Sequence, residues 1–192
     1  MKIAKIGLMI LILAAAAQAQ TMDLGLGAFA NESGAILVAV DASLVNLDRT
    51  NPFVMFVAFF AAPDTGRSVT VAAKDVVMVY KGQEYRMPSV KELRSEYRGV
   101  IRDINFYQRL GKEGIASSWI RFYKFPERSN FFPPPALGAP LAAADGFMSG
   151  HIGFMTPLYF KNPGFAKGDR LLIKVRDAKD PGVTSECDVV LN

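Results

Sequence analysis

Residues 53–60, FVMFVAFF, form an unbroken apolar run of mostly aromatic and β-branched side chains. Such side chains favour strands, and a run without polar alternation is typical of a strand that is buried on both faces. Residues 63–66, PDTG, follow as a turn signal, and the strand-like segments 68–71 and 75–80 come next. We therefore predict that 53–60 is the buried strand of a β-sandwich, with its hairpin partner directly downstream.

The N-terminal residues 1–19 predict a signal peptide and not a part of the fold. Residues 1–5, MKIAK, are short and positively charged, and 6–17 is an apolar segment too short to span a bilayer comfortably. Residues 17–19, AQA, have the small-x-small form of a cleavage site. We expect cleavage near Gln20 and a periplasmic or secreted protein. A retained N-terminal anchor or a buried helix is the alternative.

The remaining composition is that of one globular domain of mild charge. The chain has 192 residues, 51% of them hydrophobic, and a formal net charge of +4. Without Lys2 and Lys5 this charge falls to about +2, which by itself indicates no acidic partner. No motif for reading nucleic acid is present, so we expect no nucleic-acid partner. No later apolar segment is long enough for a transmembrane helix, and the single cysteine, Cys187, excludes an intramolecular disulfide.

The first part of the expected mature chain predicts a lead-in followed by strands. Residues 20–34 are rich in Gly, Ala and polar side chains, so we expect a flexible segment. Residues 35–47 alternate as a long strand whose apolar phase shifts near 43–45, which indicates a β-bulge or a bend. Two strand-like segments flank Lys81-Gly82 at the spacing of a tight hairpin.

The period of the apolar pattern changes over residues 89–110, which predicts a helical insertion. Ser89 and Glu92 have the spacing of a capping box, and apolar residues then recur every three or four positions. We expect one helix broken at Gly99, or two short helical turns. Arg94, Arg98 and Arg102 recur every four residues, so we expect them to stack on one helical face.

The C-terminal part predicts a long irregular loop and further strands. Residues 119–125 return to a β pattern, and 126–144 hold three consecutive prolines that cannot donate ladder hydrogen bonds. Residues 150–160 form a strand with Pro157 inside it, which indicates an edge or a kink. The last two alternating segments, on either side of the turn 179–182, predict a closing hairpin. We predict a mainly β, immunoglobulin-like antiparallel sandwich over 35–192.

No group of residues in the sequence predicts catalysis, a cofactor or a metal site. His151 is the only histidine, and zinc sites need several His or Cys ligands. Cys187 falls on the inward phase of the last strand, where a free cysteine behaves as a small apolar side chain. The C-terminal aspartates lack the spacing of a calcium loop and are interleaved with basic residues. These aspartates are Asp169, Asp177, Asp180 and Asp188.

Two features remain as candidates for contact with a protein or envelope partner. The arginines Arg94, Arg98 and Arg102 form a basic set, although nearby acidic residues would partly neutralise it. Phe131 and Phe132 precede the prolines, and they either plug an end of the sandwich or form an exposed anchor.

The leading functional hypothesis is an exported, non-enzymatic binding or structural accessory domain of the cell envelope. A first alternative is a hydrolase in which the fold assembles carboxylates or places His151 as a base. A second is a carbohydrate-binding module that stacks sugars on Trp119, Tyr123 and Phe125. The sequence does not specify an oligomeric state.

Overall fold

The computed structural model describes residues 21–63, 66–120, 130–132, 145–150 and 152–192. In this part of the chain the elements are β1 Met22–Gly25, β2 Ala28–Asn31, β3 Leu37–Asp41, α1 Ser43–Leu47, β4 Phe53–Ala61, β5 Ser68–Ala72, a 3₁₀ turn Ala73–Asp75, β6 Val76–Tyr80, β7 Gln83–Arg86, α2 Val90–Glu96, α3 Val100–Glu113, α4 Ile115–Trp119, β8 Asp145–Ser149, β9 Gly153–Lys161, β10 Arg170–Arg176 and β11 Thr184–Val190. None of the helices within these ranges is long and apolar enough to cross a membrane.

The protein is mainly β, as predicted, and its described strands pair antiparallel throughout. One sheet has the order β1-β2-β3-β4-β9, a second has the order β11-β10-β6-β7, and β5 pairs with β8 in a two-stranded ribbon. The two larger sheets touch where β11 packs against β2 and β3. Helices α1, α3 and α4 pack against strands of the five-stranded sheet.

Residues 53–60 lie in a buried strand, as predicted, because all nine residues of β4 are buried. This strand hydrogen-bonds to β3 on one side and to β9 on the other. Successive side chains point to opposite faces. Phe53 contacts Tyr97 beside the helices, while Phe56 contacts Phe160 on the other face. Burial on both faces is the reason that β4 has no polar position.

The expected downstream hairpin partner of this strand is wrong. Residues 68–72 form β5, which pairs with β8 and not with β4. The partner β8 follows the proline-containing segment and was not predicted as a strand. Its sequence, DGFMS, alternates only weakly and contains a glycine. A nonlocal pairing of this kind leaves little trace in the local pattern.

The segment 20–34 is not a flexible lead-in over its described part. Strands β1 and β2 form an antiparallel hairpin, and every residue of Ala28–Asn31 is buried. The turn uses Gly25, Leu26 and Gly27, all with positive φ. Glycine adopts this conformation readily, so the glycine-rich composition encodes a turn here.

The predicted long strand 35–47 is shorter than expected. Strand β3 ends at Asp41, and Ser43–Leu47 forms the helix α1. The side chain of Asp41 accepts a hydrogen bond from the backbone N–H of Ser43 at 2.8 Å, which turns the chain. The shift in apolar phase therefore marks a helical turn and not a bulge.

The predicted hairpin around Lys81-Gly82 is confirmed as β6 and β7. Lys81 and Gly82 have φ values of 49° and 78°, as a two-residue type I′ turn requires. The capping box is also confirmed, because Ser89 Oγ accepts from Glu92 N and Glu92 accepts from Ser89 N.

The helical insertion consists of two helices, α2 and α3, which residues 97–99 separate. Helix α2 ends at Glu96, and Tyr97 adopts an extended conformation that buries its ring. A Cβ on Gly99 would overlap the Tyr97 ring and hydroxyl, so this position excludes a side chain. The chain then continues as α3 to Glu113, beyond the predicted limit at 110.

Strand β9 is an edge strand, as the proline in it predicts, and residues 130–132 cover it. Phe131 contacts Phe154 at a centroid separation of 5.4 Å, and Phe132 contacts Tyr159 at 5.1 Å. Because Phe154 and Tyr159 are five residues apart, they point to opposite faces of β9. The short segment therefore clasps this edge, which protects it from pairing with another chain.

The closing hairpin is confirmed as β10 and β11, in unbroken register from Arg170–Val190 to Arg176–Thr184. Cys187 is fully buried on its inward face. Burial, with a smaller contribution from Asp188, raises the pKa of this thiol to about 12. The thiol therefore acts as part of the apolar core.

We expect Phe60→Ala to lower the free energy of unfolding by about 3–5 kcal/mol, because it leaves a cavity beside Phe154 in a fully buried layer. Leu47→Ala is the matched control, since Leu47 is 74% exposed and should change stability by less than about 0.5 kcal/mol. Urea unfolding measures both values. Equal effects for the two variants would contradict the assignment of β4 to the core.

Candidate ligand-binding groove

A groove of about 720 Å³ lies where the end of the four-stranded sheet meets the loop between β2 and β3. The strands β6, β7, β10 and β11 and the 3₁₀ turn before β6 contribute most of its surface. Its lining residues are Ser33, Gly34, Lys74, Asp75, Val77, Glu84, Arg86, Lys174, Val175, Arg176, Thr184, Ser185 and Glu186.

An ion pair between Asp75 and Arg176 forms the centre of the groove. Val76 pairs with Val175, so the residues just beyond this pair, Asp75 and Arg176, lie side by side. Arg176 Nε donates a hydrogen bond to Asp75 Oδ1 at 2.6 Å. The Asp75 side chain is 4% exposed and that of Arg176 is 53% exposed. The arginine thus neutralises a buried carboxylate from the solvent side.

Two buried polar atoms in this groove have no hydrogen-bond partner among the described residues. They are Asp75 Oδ2 and Ser185 Oγ, and their residues are 6% and 8% exposed. Two other such atoms are known in the described chain, on Arg49 and Asp103. An unpartnered buried polar group costs about 1–3 kcal/mol, so two in one groove mark a place where hydrogen bonds are available to a ligand.

The charged side chains around these atoms carry both signs, with four basic and three acidic groups. The strand register aligns Glu186, Lys174, Val77 and Arg86 in one row across the sheet. Lys174 and Glu186 form a loose pair at 3.9 Å. Lys74 and Arg86 form no ion pair with any residue in the described ranges. They remain available as cations at the rim.

The loop between β2 and β3 forms one wall, and Asn31 holds it in place. Asn31 is fully buried, and its Nδ2 donates to the backbone oxygen of Glu186 at 2.6 Å. Its Oδ1 accepts from both the backbone and the hydroxyl of Ser33. A Cβ on Gly34 would lie 3.4 Å from Ser185 Oγ. Glycine at this position therefore keeps the space next to Ser185 open.

The three arginines predicted as a contact face do not share one helix. Arg94 lies in α2, Arg98 lies in the link between the helices, and Arg102 lies in α3. Arg94 and Arg98 are exposed. The predicted stack required a continuous helix, and the break at residues 97–99 removes it.

Arg102 instead connects α3 to the end of α1 and to a buried aspartate. Its Nη1 donates to Asp48 Oδ2 at 2.9 Å, and its Nε and Nη2 both donate to Asp103 Oδ1. Hydrogen bonds from the backbone and side chain of Thr50, together with Arg102, lower the pKa of Asp48 to about 2. Burial raises the pKa of the Asp103 carboxyl group. Burial also raises the pKa of the Tyr97 hydroxyl, and Asp103 adds a smaller contribution. Arg102 therefore has a structural role.

The predicted exposed anchor at Phe131 and Phe132 is wrong, because the rings are only 2% and 7% exposed. Of the two alternatives, burial is correct, although the rings cover the β9 edge and not an end of the sandwich. Trp119 ends the helix α4 and does not belong to a strand. Tyr123 and Phe125 lie outside the described residues, as do His151 and most of the loop 126–144.

Within the described ranges no three His, Cys, Asp or Glu side chains are grouped so as to hold a metal ion. Three of the four C-terminal aspartates accept hydrogen bonds within the described structure. Asp169 accepts from the Tyr80 hydroxyl, Asp177 accepts from the backbone N–H of Thr70 and Lys179, and Asp180 accepts from the backbone N–H of Gly182.

No residue of the groove stands out in the sequence as a candidate for binding. Lys74 and Asp75 form a charged pair directly before an apolar strand, and Lys174 and Arg176 occupy the polar phase of another. These signals are local and common, and each is typical of a solvated strand end. Asp75 and Arg176 are 101 positions apart, so no spacing in the sequence connects them.

No protein-family model matches this chain, and comparison with curated proteins and with solved structures likewise finds no match.

We expect Arg176→Gln to lower the free energy of unfolding by about 2 kcal/mol, because it leaves the buried Asp75 carboxylate without a counter-ion. Arg67→Gln is the control, since its pair with Asp180 is exposed and 4.0 Å long. That change should fall within about 0.5 kcal/mol. A double-mutant cycle with Asp75→Asn should give a coupling of about 1–2 kcal/mol in urea unfolding. Additive effects would contradict the pair.

We expect Asp48→Asn to destabilise the protein by about 1 kcal/mol at pH 7, because it removes the charge that faces Arg102. The folded-state pKa of Asp48, about 2, lies below the ordinary value of 3.8. The ionised Asp48 carboxylate therefore contributes to the free energy of unfolding above pH 3.8, and this contribution is lost as the pH falls toward 2. Urea unfolding of both proteins between pH 7 and pH 2 measures the difference. A difference that stays constant down to pH 2 would show that the Asp48 charge is not its source.

Proposed function

We propose that the protein is an exported, non-enzymatic binding protein of the cell envelope, and that the groove around Asp75 is its ligand site. The observation that carries this proposal is that one groove holds two buried oxygens, Asp75 Oδ2 and Ser185 Oγ, without a hydrogen-bond partner among the described residues. A ligand with hydrogen-bonding groups would satisfy both. Export is part of the proposal because of the predicted signal peptide at 1–19.

The charge pairing in the groove favours binding over catalysis. A hydrolase that uses two carboxyl groups needs one that donates a proton and one that acts as a base or nucleophile. Here Asp75 is paired with Arg176, and Glu186 faces Lys174. Glu84 alone forms no ion pair with a described residue. Pairing holds the first two as hydrogen-bond acceptors, which suits recognition.

We propose an immunoglobulin-like sandwich as the scaffold. Support comes from the contact of β11 with β2 and β3 and from the closing hairpin of β10 and β11. On this scaffold the groove occupies one end of the four-stranded sheet, where loops vary in such folds without disturbing the core.

We expect a side chain at position 34 to abolish ligand capture. Gly34→Leu would extend from a Cβ that already contacts Ser185 Oγ, and so it would fill the groove. Gly34→Ala is the matched control, because its single methyl fits at 3.4 Å and leaves the groove open. Equilibrium dialysis of each purified protein against small molecules of an envelope extract, read by mass spectrometry, makes the comparison.

The wild type and Gly34→Ala should enrich the same compound, and Gly34→Leu should lose at least tenfold of that enrichment. Thermal unfolding of the three proteins shows whether the larger side chain only disrupts folding. If Gly34→Leu remains folded and retains the compound, the groove is not the site. If the wild type enriches nothing, the binding function itself is wrong.

A further inference from the structure

We infer that the ligand of the groove is a small hydroxyl-bearing anion of the sugar-acid or sugar-phosphate class. This inference rests on the proposed binding function and adds the chemistry of the ligand. It follows from three features of the groove in the part of the chain that the structure describes: a carboxylate paired with arginine whose second oxygen has no partner there, two cations at the rim that form no ion pair there, and a described lining without aromatic rings.

The free oxygen of Asp75 selects a neutral hydrogen-bond donor. Its partner oxygen Oδ1 already accepts from Arg176 at 2.6 Å, so the carboxylate charge is balanced. A ligand ammonium group at Oδ2 would meet the Arg176 guanidinium next to it, and the two cations would repel. A hydroxyl group gives Oδ2 its missing hydrogen bond without added charge, and a second hydroxyl group of the same ligand can pair with Ser185 Oγ as donor or acceptor.

The unpaired cations select an anionic group on the same ligand. Once the Arg176–Asp75 and Lys174–Glu186 pairs are set aside, Lys74, Arg86 and Glu84 remain, which leaves one excess positive charge. Arg86 lies on the edge strand β7 and shares a row with Lys174 across Val77. A guanidinium at that position can bind a carboxylate or a phosphate through two parallel hydrogen bonds.

The described lining residues favour recognition by hydrogen bonds and charge over stacking. Proteins that bind neutral sugars commonly place an aromatic ring against the sugar face. No described residue that lines this groove is aromatic, and the apolar side chains are Val77 and Val175. The described residues therefore offer a ligand mainly hydrogen bonds and charge. A volume of about 720 Å³ is within the range of sites for single small molecules, which suits a monosaccharide derivative.

Isothermal titration calorimetry with the full chain compares sugar anions with two simpler kinds of ligand, a neutral sugar and a free anion. The probes are glucuronate and galacturonate for the carboxylate form, and glucose 1-phosphate and glucose 6-phosphate for the phosphate form. Glucose supplies hydroxyl groups without an anion, and inorganic phosphate and acetate supply an anion without the sugar. We expect at least one sugar acid or sugar phosphate to bind at least tenfold more tightly than glucose and than its matching free anion.

Two substitutions separate the two halves of the ligand. Arg86→Gln should weaken binding of the charged sugar at least tenfold and leave its weak glucose binding unchanged. Ser185→Ala should weaken the charged sugar about fivefold and leave binding of the free anion unchanged. Arg170→Gln is the matched control, because this exposed arginine does not line the groove and should leave all affinities unchanged.

The outcomes distinguish this inference from the proposed function. Inorganic phosphate or acetate binding as tightly as the sugar anions would overturn the inference, and so would equal loss in Arg86→Gln and Arg170→Gln. If none of the sugar anions binds while dialysis shows another compound held by the wild type and lost by Gly34→Leu, the ligand class is wrong and the binding site stands. If dialysis also finds nothing, both are wrong.

Discussion

The burial of β4 on both faces is the constraint on which the rest of the fold depends. Nine consecutive buried residues need hydrogen-bonded neighbours along both edges and apolar layers above and below. Strands β3 and β9 supply the edges. Helices α1 and α3 pack against β4, and Phe160 and Phe154 meet its even-numbered phenylalanines on the opposite face. Most other elements can be understood by how they cover this one strand.

Covering β4 leaves the four-stranded sheet half-exposed, and this asymmetry creates the groove. The strands β10 and β11 alternate buried and exposed residues along their lengths, so only their inner faces contribute to the core. Their outer positions are free to carry charge, including Lys174, Arg176 and Glu186. The antiparallel register then assembles these side chains with Asp75, in the 3₁₀ turn before β6, and with Arg86 of β7.

Local signals in the sequence predicted the elements whose structure is decided locally. The apolar run 53–60, the turn at Lys81-Gly82 and the capping box at Ser89 each depend on residues within a few positions. The pairing of β5 with β8 depends on segments about 80 residues apart, and the ordering of 21–34 depends on packing against strands elsewhere. The groove depends on register between four strands, which composition and periodicity do not determine.

The unsatisfied oxygens at Asp75 and Ser185 are difficult to explain by stability alone. Two apolar side chains could occupy the positions of Asp75 and Arg176. Ion pairs with a buried partner rarely stabilise a protein more than well-packed apolar side chains at the same positions do. Asp75 also retains one oxygen without a partner in the described chain, which lowers stability further. Proteins tend to depart from complete polar satisfaction at sites that recognise something else. The other candidate contact residues already have structural contacts, because Phe131 and Phe132 are buried over β9 and Arg102 binds Asp48 and Asp103. The groove is therefore the better candidate for a binding site.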